Sequence, residues 1–346
     1  MNFINNLMEM LVRHPKRIVF TDGDDLETMR AAAEFARLRL GAPILLGKKF
    51  RIREIAAAHS IDLGRVRIID PELSEDLEIY VKRLETISRY KGIRVEEARK
   101  MIINPNYFGA MMVQYSYADA IVGGAHVTTG IFLRPLQSLI KPLPGISSLS
   151  SCVVLEVPGS AYGDHGIIYM ADCGINPEPN VQELAEIGIE TAKLARQLSG
   201  KIPRVAYLGF STKGSVKHRI TEKMIAAAAL CEQLAGEIPL ELEVEGELQV
   251  DAALIPEMGK AKAQGSLVAG QANVLIFPDL NAGNIALKLL TTLTPFEVYG
   301  NIILGLDRPA ADIPRGADAR DILGAAIIVG IRAVEFHTLH PDWYTT

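Results

Sequence analysis

Residues 17–47 read RIVFTDGDDLETMRAAAEFARLRLGAPILLG. Two short apolar runs, RIVF and PILL, are bounded by glycine, aspartate or proline, as β-strands are. The segment between them has helical periodicity, and we expect its helix to end at Gly41, a residue type that favours the C-cap. A strand, a helix and a second strand in succession are typical of a parallel β-sheet.

The same alternation continues along the chain. Helical patterns accompany further strand candidates, and one of them runs from Val181 to Gly200 with acids early and bases late, as the helix dipole favours. The sequence therefore predicts an α/β protein with two three-layer lobes, mostly parallel sheets and helices on both faces. The further strand candidates are RVRIID, AIVGG, RVAYLGF, ANVLIFPD and NIILG.

The domain boundaries follow from length and from a change of pattern. A chain of 346 residues is longer than one hydrophobic core usually serves. Two β-rich runs flank a glycine-rich turn in residues 147–174, which predicts a hairpin. We expect NIILG and the buried helix after it to complete the first sheet. Domain I is thus predicted as 1–147 plus 295–346, and domain II as 148–294.

Composition narrows the class of partner. The formal net charge of −5 provides no basic field for nucleic acid or anionic lipid. The three cysteines, Cys152, Cys173 and Cys231, lack the close pairing of a zinc site. We therefore expect free thiols, a reducing compartment and no nucleic-acid partner.

The two ends of the chain do not resemble membrane segments. Residues 1–17 have apolar positions at helical spacing and lack the basic start and long apolar core of a signal peptide. The last apolar run is interrupted by Arg332 and Glu335. A cytoplasmic location is the expectation.

The first candidate site is GGAHVTTGIFLRP, residues 123–135, which follows a predicted strand and begins a helix. Backbone N–H groups near Thr128 and Thr129 would face the carboxyl edge of the sheet, where α/β folds bind anions, and Arg134 lies further along the helix. The alternative is that a threonine caps the helix and Arg134 lies on the surface. For His126, the sequence favours a structural role over a catalytic one.

Two later segments carry polar residues after predicted strands. GFSTKGS, residues 209–215, lacks the spacing of a nucleotide-binding P-loop, so we interpret it first as a strand-to-helix loop. The alternative is that Ser211, Thr212 or Lys213 contacts pantetheine or phosphate. In residues 272–284, a strand ends at Pro278 and Asp279, and Asn281 and Asn284 begin the next helix. That arrangement favours a binding role for both asparagines.

The stretch DIPRGADARD, residues 312–321, precedes an apolar helix. Asp318 and Asp321 have the spacing of a capping pair, and acids stabilise a helix N-terminus. A structural cap and a catalytic site with Arg315 both remain open on these residues alone.

Five ordered blocks resemble the phosphate acetyltransferase and phosphate butyryltransferase family. They are NPNYFGAMMVQ with ADAIVGGAHVTTGIFLRPLQ, ADCGINPEPNVQELAEIGIETAKLA, STKGS, AKAQGSLVAGQANVLIFPDLNAGNIALK, and PRGADARDIL. The resemblance covers nearly the whole chain. It implies an active-site cleft between two α/β lobes, a homodimer, no metal cofactor, and the reaction acyl-CoA plus phosphate giving acyl phosphate plus CoA.

The resemblance also implies roles for individual residues. Arg134 matches an arginine that holds phosphate or CoA, and Arg315 matches one that grips the acyl phosphate. Asp321 matches the aspartate that acts as base for the CoA thiol. A guanidinium can meet two phosphate oxygens at once, and a carboxylate within reach of a thiol assists its ionisation.

Three positions depart from the family pattern. Pro314 stands where a serine usually precedes the site arginine, Gln114 replaces an arginine, and Glu27 replaces another. The proline removes a hydroxyl and a backbone N–H, and the other two changes remove cations. The main expectation is a phosphate acyltransferase for acetyl or short acyl groups. The alternatives are a non-catalytic acyl-CoA or acyl-phosphate sensor and a purely structural paralogue.

Overall fold

The computed structural model describes residues 3–87, 90–294 and 296–339. Their helices and strands form two compact units. Unit 1 contains the described residues up to Leu143 and from Leu306 onward, and unit 2 is Pro144–Gly305.

Unit 1 is built on a parallel sheet. Its strands are β1 (Lys16–Phe20), β2 (Gly41–Leu46), β3 (Arg67–Ile69), β4 (Ala120–Gly123) and β11 (Ala310–Asp312), in the spatial order β3-β2-β1-β4-β11. Its helices are α1 (Phe3–Arg13), α2 (Leu26–Arg37), α3 (Lys49–Ala58), α4 (Leu77–Thr86), α5 (Val95–Ile102), α6 (Pro105–Gln114), α7 (Thr129–Leu139) and α13 (Ala319–Leu339). Ile18, Val19 and Phe20 are fully buried, as expected for a central parallel strand.

Unit 2 has a mixed sheet. Its strands are β5 (Ser150–Glu156), β6 (Ile167–Ala171), β7 (Arg204–Leu208), β8 (Glu243–Leu248), β9 (Val274–Ile276) and β10 (Glu297–Leu304), in the order β10-β5-β6-β9-β7-β8. β5 pairs antiparallel with both β10 and β6, and the remaining pairs are parallel. Its helices are α8 (Val181–Ser199), α9 (Arg219–Ala235), α10 (Val250–Leu254), α11 (Pro256–Lys262) and α12 (Leu280–Leu293).

The predicted α/β class is confirmed, and so is the hairpin, which is formed by β5 and β6. The boundaries differ from those predicted. The first change of unit falls at residues 143/144 instead of 147/148, and the second at 305/306 instead of 294/295. The second differs because β10 pairs antiparallel with β5, with Val298 opposite Leu155, and so belongs to unit 2. The short strand β11 pairs with β4 and belongs to the unit 1 sheet, which NIILG was predicted to complete.

The predicted end of α2 also needs correction. The helix ends at Arg37, and Gly41 is the first residue of β2. The left-handed backbone after the helix is supplied by Arg39, with φ 60°. The end of α8 is as predicted, since Gly200 caps it with φ 70°.

The described helices are each too short or too polar to cross a bilayer. The three cysteines are free, as the sequence predicted, and the structure shows that they are also buried.

Candidate functional site

The carboxyl ends of β1, β4 and β11 meet at one edge of the unit 1 sheet. Oδ2 of Asp22, after β1, accepts hydrogen bonds from the N–H groups of Gly124 (2.9 Å) and Ala125 (3.1 Å) after β4. Burial raises the pKa of Asp22, and these hydrogen bonds act in the opposite direction. Gly124 has φ 105° and no room for a Cβ beside Asp312, the last residue of β11. The strand ends are thus tied closely together.

Thr128 and Thr129 begin α7 at this edge. Thr128 is the N-cap residue by position, but its side chain makes no capping hydrogen bond. The hydroxyl of Thr129 donates to Oδ2 of Asp312 at 2.6 Å instead of bonding back to the helix. The first turn of α7 therefore has no side-chain cap from either threonine. A helix start of this kind is suited to an anion.

Arg134 and His126 lie on either side of that turn. Arg134 is exposed on α7, next to the internal Pro135. Nε2 of His126 is 3.3 Å from Oδ1 of Asp25, whose other oxygen accepts the N–H of Thr28 and caps α2. His126 thus has a carboxylate partner in Asp25.

The N-terminus of α13 is capped by Asp318. Oδ1 of Asp318 accepts the N–H groups of Arg320 and Asp321, both at 2.9 Å. Oε2 of Glu27 accepts the N–H of Ala319 at 3.1 Å. Asp321 thus serves as a backbone donor to the cap, and its carboxylate is not the group that caps these amides.

Arg315 is exposed on the turn that precedes α13. The carbonyl of Pro314 accepts the N–H of Ala317, and Gly316 has φ 87°. β11 pairs in parallel with β4, with Asp312 opposite Gly123. The structure therefore carries Thr128, Thr129, Arg315 and Asp321 on segments that follow neighbouring strands at the same edge.

The unit 2 candidates likewise follow two paired strands, β7 and β9. Ser211 is buried, lies 3.0 Å from the hydroxyl of Ser215, and accepts the N–H of Val216. Nζ of Lys213 pairs with Oε1 of Glu245 at 2.6 Å. The polar groups of the loop after β7 are thus engaged within unit 2.

Asn281 and Asn284 are exposed in the first turns of α12. Asp279 caps this helix by accepting the N–H of Ala282 at 2.9 Å. Nδ2 of Asn284 donates to the carbonyl of Cys173 at 3.1 Å. The amide of Asn284 therefore joins α12 to the segment after β6.

Sequence reasoning missed Asp172, which organises that segment. Its buried carboxylate accepts N–H groups from Gly174 (2.8 Å), Ile175 (3.1 Å) and Asn176 (2.8 Å), and the hydroxyl of Ser151 (2.5 Å). Burial raises the pKa of Asp172, and these hydrogen bonds act in the opposite direction. The available signal was an aspartate directly after a buried strand, and Asp22 has a similar position one residue further from the end of β1.

Gln114, the last residue of α6, marks one of the departures from the family pattern. Its Oε1 is buried and has no hydrogen-bond partner among the described residues. A buried amide oxygen without a partner is destabilising.

Within the described ranges there is no cluster of three or more His, Cys, Asp or Glu side chains that could hold a metal ion.

A model of the family described as phosphate acetyl/butaryl transferase matches residues 2–330. The chain belongs to this family. Among curated proteins, the phosphate acetyltransferase of Acetivibrio thermocellus is 42% identical over 333 residues, which are 96% of this chain and 98% of that protein. The phosphate acetyltransferase of Bacillus subtilis is 36% identical over 334 residues, which are 96% and 99% of the two chains.

Solved structures agree with this membership. A phosphotransacetylase from Streptococcus pyogenes has a TM-score of 0.86 at 36% identity, over 96% of this chain and 98% of that one. The resemblance to the phosphate acetyl/butaryl transferase family is therefore confirmed, together with the α/β fold class.

Proposed function

We propose that this chain catalyses the reversible transfer of an acetyl or short acyl group between CoA and phosphate: acetyl-CoA plus phosphate gives CoA plus acetyl phosphate. The observation that carries the proposal is the family match over residues 2–330, because that range includes Arg315 and Asp321. The names of the curated relatives, phosphate acetyltransferase, support the same reaction.

In the direction that forms acetyl-CoA, Asp321 accepts the proton of the CoA thiol. The sulfur attacks the acyl carbon of acetyl phosphate, the bond from that carbon to the phosphate oxygen breaks, and phosphate leaves with the bonding pair. In reverse, phosphate attacks the thioester and the departing CoA sulfur regains the proton from Asp321. A positioned base of this kind typically contributes a rate factor of about 10²–10⁴.

Arg315 is assigned to the phosphate that carries developing charge, because its planar guanidinium can donate to two oxygens at once. Arg134 is assigned to phosphate or CoA. Thr128 and Thr129 supply the start of α7, whose dipole and N–H groups favour an anion. The lack of a capping hydrogen bond from the Thr128 side chain supports this role.

For CoA itself we propose contacts with the loop after β7 and the first turns of α12, through Ser211, Lys213, Asn281 and Asn284. Lys213 and Asn284 already have partners in Glu245 and the Cys173 carbonyl, so CoA must share or displace them. We further propose a cytoplasmic homodimer that uses CoA as a substrate and holds no permanent cofactor. Light scattering of the purified protein tests the dimer.

The test of function is free-thiol release from acetyl-, propionyl- and butyryl-CoA in the presence and absence of phosphate. Phosphate-dependent release is expected, and the acyl chain with the highest kcat/KM identifies the substrate. Calorimetry with each acyl-CoA runs in parallel. Binding without phosphate-dependent release would contradict the enzyme proposal and favour the sensor.

A further inference from the structure

The amino-terminal edge of the unit 1 sheet contains a cationic cavity. β1 and β2 begin side by side there, with Lys16 paired to Gly41. A cavity of about 380 Å³ at this edge is lined by the four cations Lys16, Arg17, Arg39 and Arg65. Its other lining residues are proline, alanine and glycine, so its lining includes no acid.

A second cavity of about 530 Å³ adjoins the first. The two share Ala36, Arg39 and Arg65 in their linings. Together they have the size of a small-molecule site. Arg39 and Arg65 therefore lie where the two cavities meet. The second cavity is also lined by the acids Glu34 and Asp62, of which Glu34 pairs with Arg37.

The cations of this surface differ in their partners. Arg17 forms an ion pair with Asp119, Nη2 to Oδ1 at 2.7 Å. For Lys16, Arg39 and Arg65, by contrast, the described residues supply no ion pair. Burial lowers the pKa of Lys16, and the charge of Arg17 lowers it further, against an opposing effect of Asp119. An anion bound here would favour the charged ammonium.

The backbone at Arg39 gives an independent indication. Arg39 has φ 60° directly after α2, and the N–H of Leu40 bonds to the carbonyl of Phe35 across this turn. Glycine is the residue that this helix ending favours. Arginine in this conformation costs backbone free energy that glycine would not, which makes its side chain a candidate for a ligand contact.

We propose that Lys16, Arg39 and Arg65 form a binding site for a small anion that carries two or more phosphate groups. Guanidinium groups bind phosphate oxygens bidentately. One phosphate group carries a charge of about −1.5 to −2, which is too little to neutralise three cations. The site lies at the opposite end of β1 from Asp22, since Lys16 begins the strand six residues earlier, about 20 Å away at roughly 3.3 Å per residue. It is thus separate from the segments assigned to catalysis and does not depend on that assignment.

Inorganic tripolyphosphate is the probe, measured by calorimetry at constant ionic strength. The wild type is expected to bind it, and to bind orthophosphate at least tenfold more weakly. Arg39→Gly and Arg65→Gln should each weaken tripolyphosphate binding at least tenfold. Because glycine suits the backbone of residue 39, Arg39→Gly should not lower the thermal midpoint, so weaker binding cannot be attributed to misfolding.

Two controls match these variants. Ser60→Gly changes another non-glycine residue with positive φ, 55°, and should leave binding unchanged. Arg94→Gln removes an exposed cation of α5's N-cap and should also leave it unchanged. Arg315→Gln should retain the tripolyphosphate site, and Arg39→Gly should retain thiol release measured without the probe.

Four results would overturn the proposal. They are wild-type affinity in both Arg39→Gly and Arg65→Gln, equal weakening in Arg94→Gln, loss of all binding in Arg315→Gln alone, or tighter binding of a single-stranded oligonucleotide than of tripolyphosphate. The third result would place the anion at the proposed catalytic site, and the fourth would indicate a nucleic-acid partner.

Discussion

The carboxylate of Glu27 in α2 accepts a hydrogen bond from the backbone N–H of Ala319, the first residue of α13, at 3.1 Å. Its other oxygen pairs with Arg30 at 2.6 Å. A carboxylate at a helix start satisfies an otherwise unpaired N–H and complements the helix dipole. Glu27 therefore stabilises the turn that leads to Asp321, although the family pattern has an arginine at this position.

This contact predicts different effects for two substitutions of Glu27. Glu27→Arg should lower the free energy of unfolding by about 1 kcal/mol and reduce kcat, because it removes the acceptor and places a cation at the positive end of α13. Glu27→Gln keeps an acceptor and should stay within about 0.5 kcal/mol of wild type. Urea denaturation and thiol-release kinetics measure both quantities.

Glu34→Gln is the control, since Glu34 forms a similar pair with Arg37 on the same helix. It should leave kcat unchanged. If Glu27→Arg instead tightens CoA binding with no loss of stability, Glu27 is only a lost cation contact and the capping role is wrong.

Asp318 and Asp321 should separate stability from turnover. Asp318→Ala removes the acceptor of two N–H groups and should lower the free energy of unfolding by about 1 kcal/mol. Asp321→Asn should reduce kcat by about 10²–10⁴-fold with CoA affinity and stability nearly unchanged, because the amide keeps the shape but cannot accept the thiol proton. Thiol release, calorimetry and urea denaturation are run on both variants, and high turnover in Asp321→Asn would remove that carboxylate from the mechanism.

Asp172 should make stability depend on pH. Burial raises its pKa above the usual 3.8, so the folded protein keeps this proton to a higher pH than the unfolded chain does. Its contribution to the free energy of unfolding is greatest below about pH 4 and declines as the pH rises through the folded-state pKa. Compared with Asp172→Asn, which does not titrate, the wild type should therefore lose relative stability as the pH rises above about 4.

Urea denaturation of both proteins at several pH values measures this difference. The exposed Asp62, changed to Asn, is the control for removing one carboxylate. The prediction would be contradicted if the difference in free energy of unfolding between the wild type and Asp172→Asn stayed constant with pH. It would also be contradicted if the wild type gained relative stability as the pH rises.

Gly283 allows α12 to lie against the segment after β6. A Cβ at residue 283 would collide with the carbonyl oxygen of Asp172. Gly283→Ala should thus lower the free energy of unfolding by about 1–3 kcal/mol. Gly130→Ala in α7, where a Cβ has open space, is the matched control and should be neutral or stabilising. Equal urea midpoints for the two variants would show that α12 can shift freely.

Local pattern was enough to predict most of the framework. The apolar runs that became β1, β2 and β4 are bounded by their own glycine and aspartate residues, and Gly200 ends α8 as its residue type suggests. The short β11 was missed because Ala310–Asp312 has little strand propensity and is stabilised by its pairing with β4.

The contacts that organise the candidate site join residues far apart in the sequence, so local sequence patterns cannot predict them. Glu27 and Ala319 are 292 positions apart, and Thr129 and Asp312 are 183 apart. The family resemblance therefore showed only that Glu27 replaces an arginine, whereas the structure shows that its carboxylate accepts the N–H of Ala319. The left-handed conformation of Arg39 was not predicted, because glycine is the residue type that favours this conformation and Gly41 lies nearby.

Pro314 provides the last test. Its carbonyl accepts the N–H of Ala317, so the turn before Arg315 forms without a serine, but the proline supplies neither a hydroxyl nor an N–H. Loss of one donor to a developing oxyanion typically reduces the rate by about 10²–10³-fold. If other groups replace that donor only in part, Pro314→Ser should raise kcat about tenfold or more with little change in KM, since the recovered contact acts mainly in the transition state.

Pro314→Ala is the matched control, because it restores the N–H without the hydroxyl. A rise in kcat confined to Pro314→Ser would identify the hydroxyl as the missing donor, and equal rises in both variants would identify the backbone N–H. A sensor would behave differently. Its wild type would bind acyl-CoA without thiol release, and Pro314→Ser would not restore release, because Gln114 and Glu27 would still replace two cations that contact anions. Thiol release by all three proteins, with acyl-CoA binding measured by calorimetry, separates these cases, and a fall in kcat on introducing serine would show that this chain's site is adapted to proline.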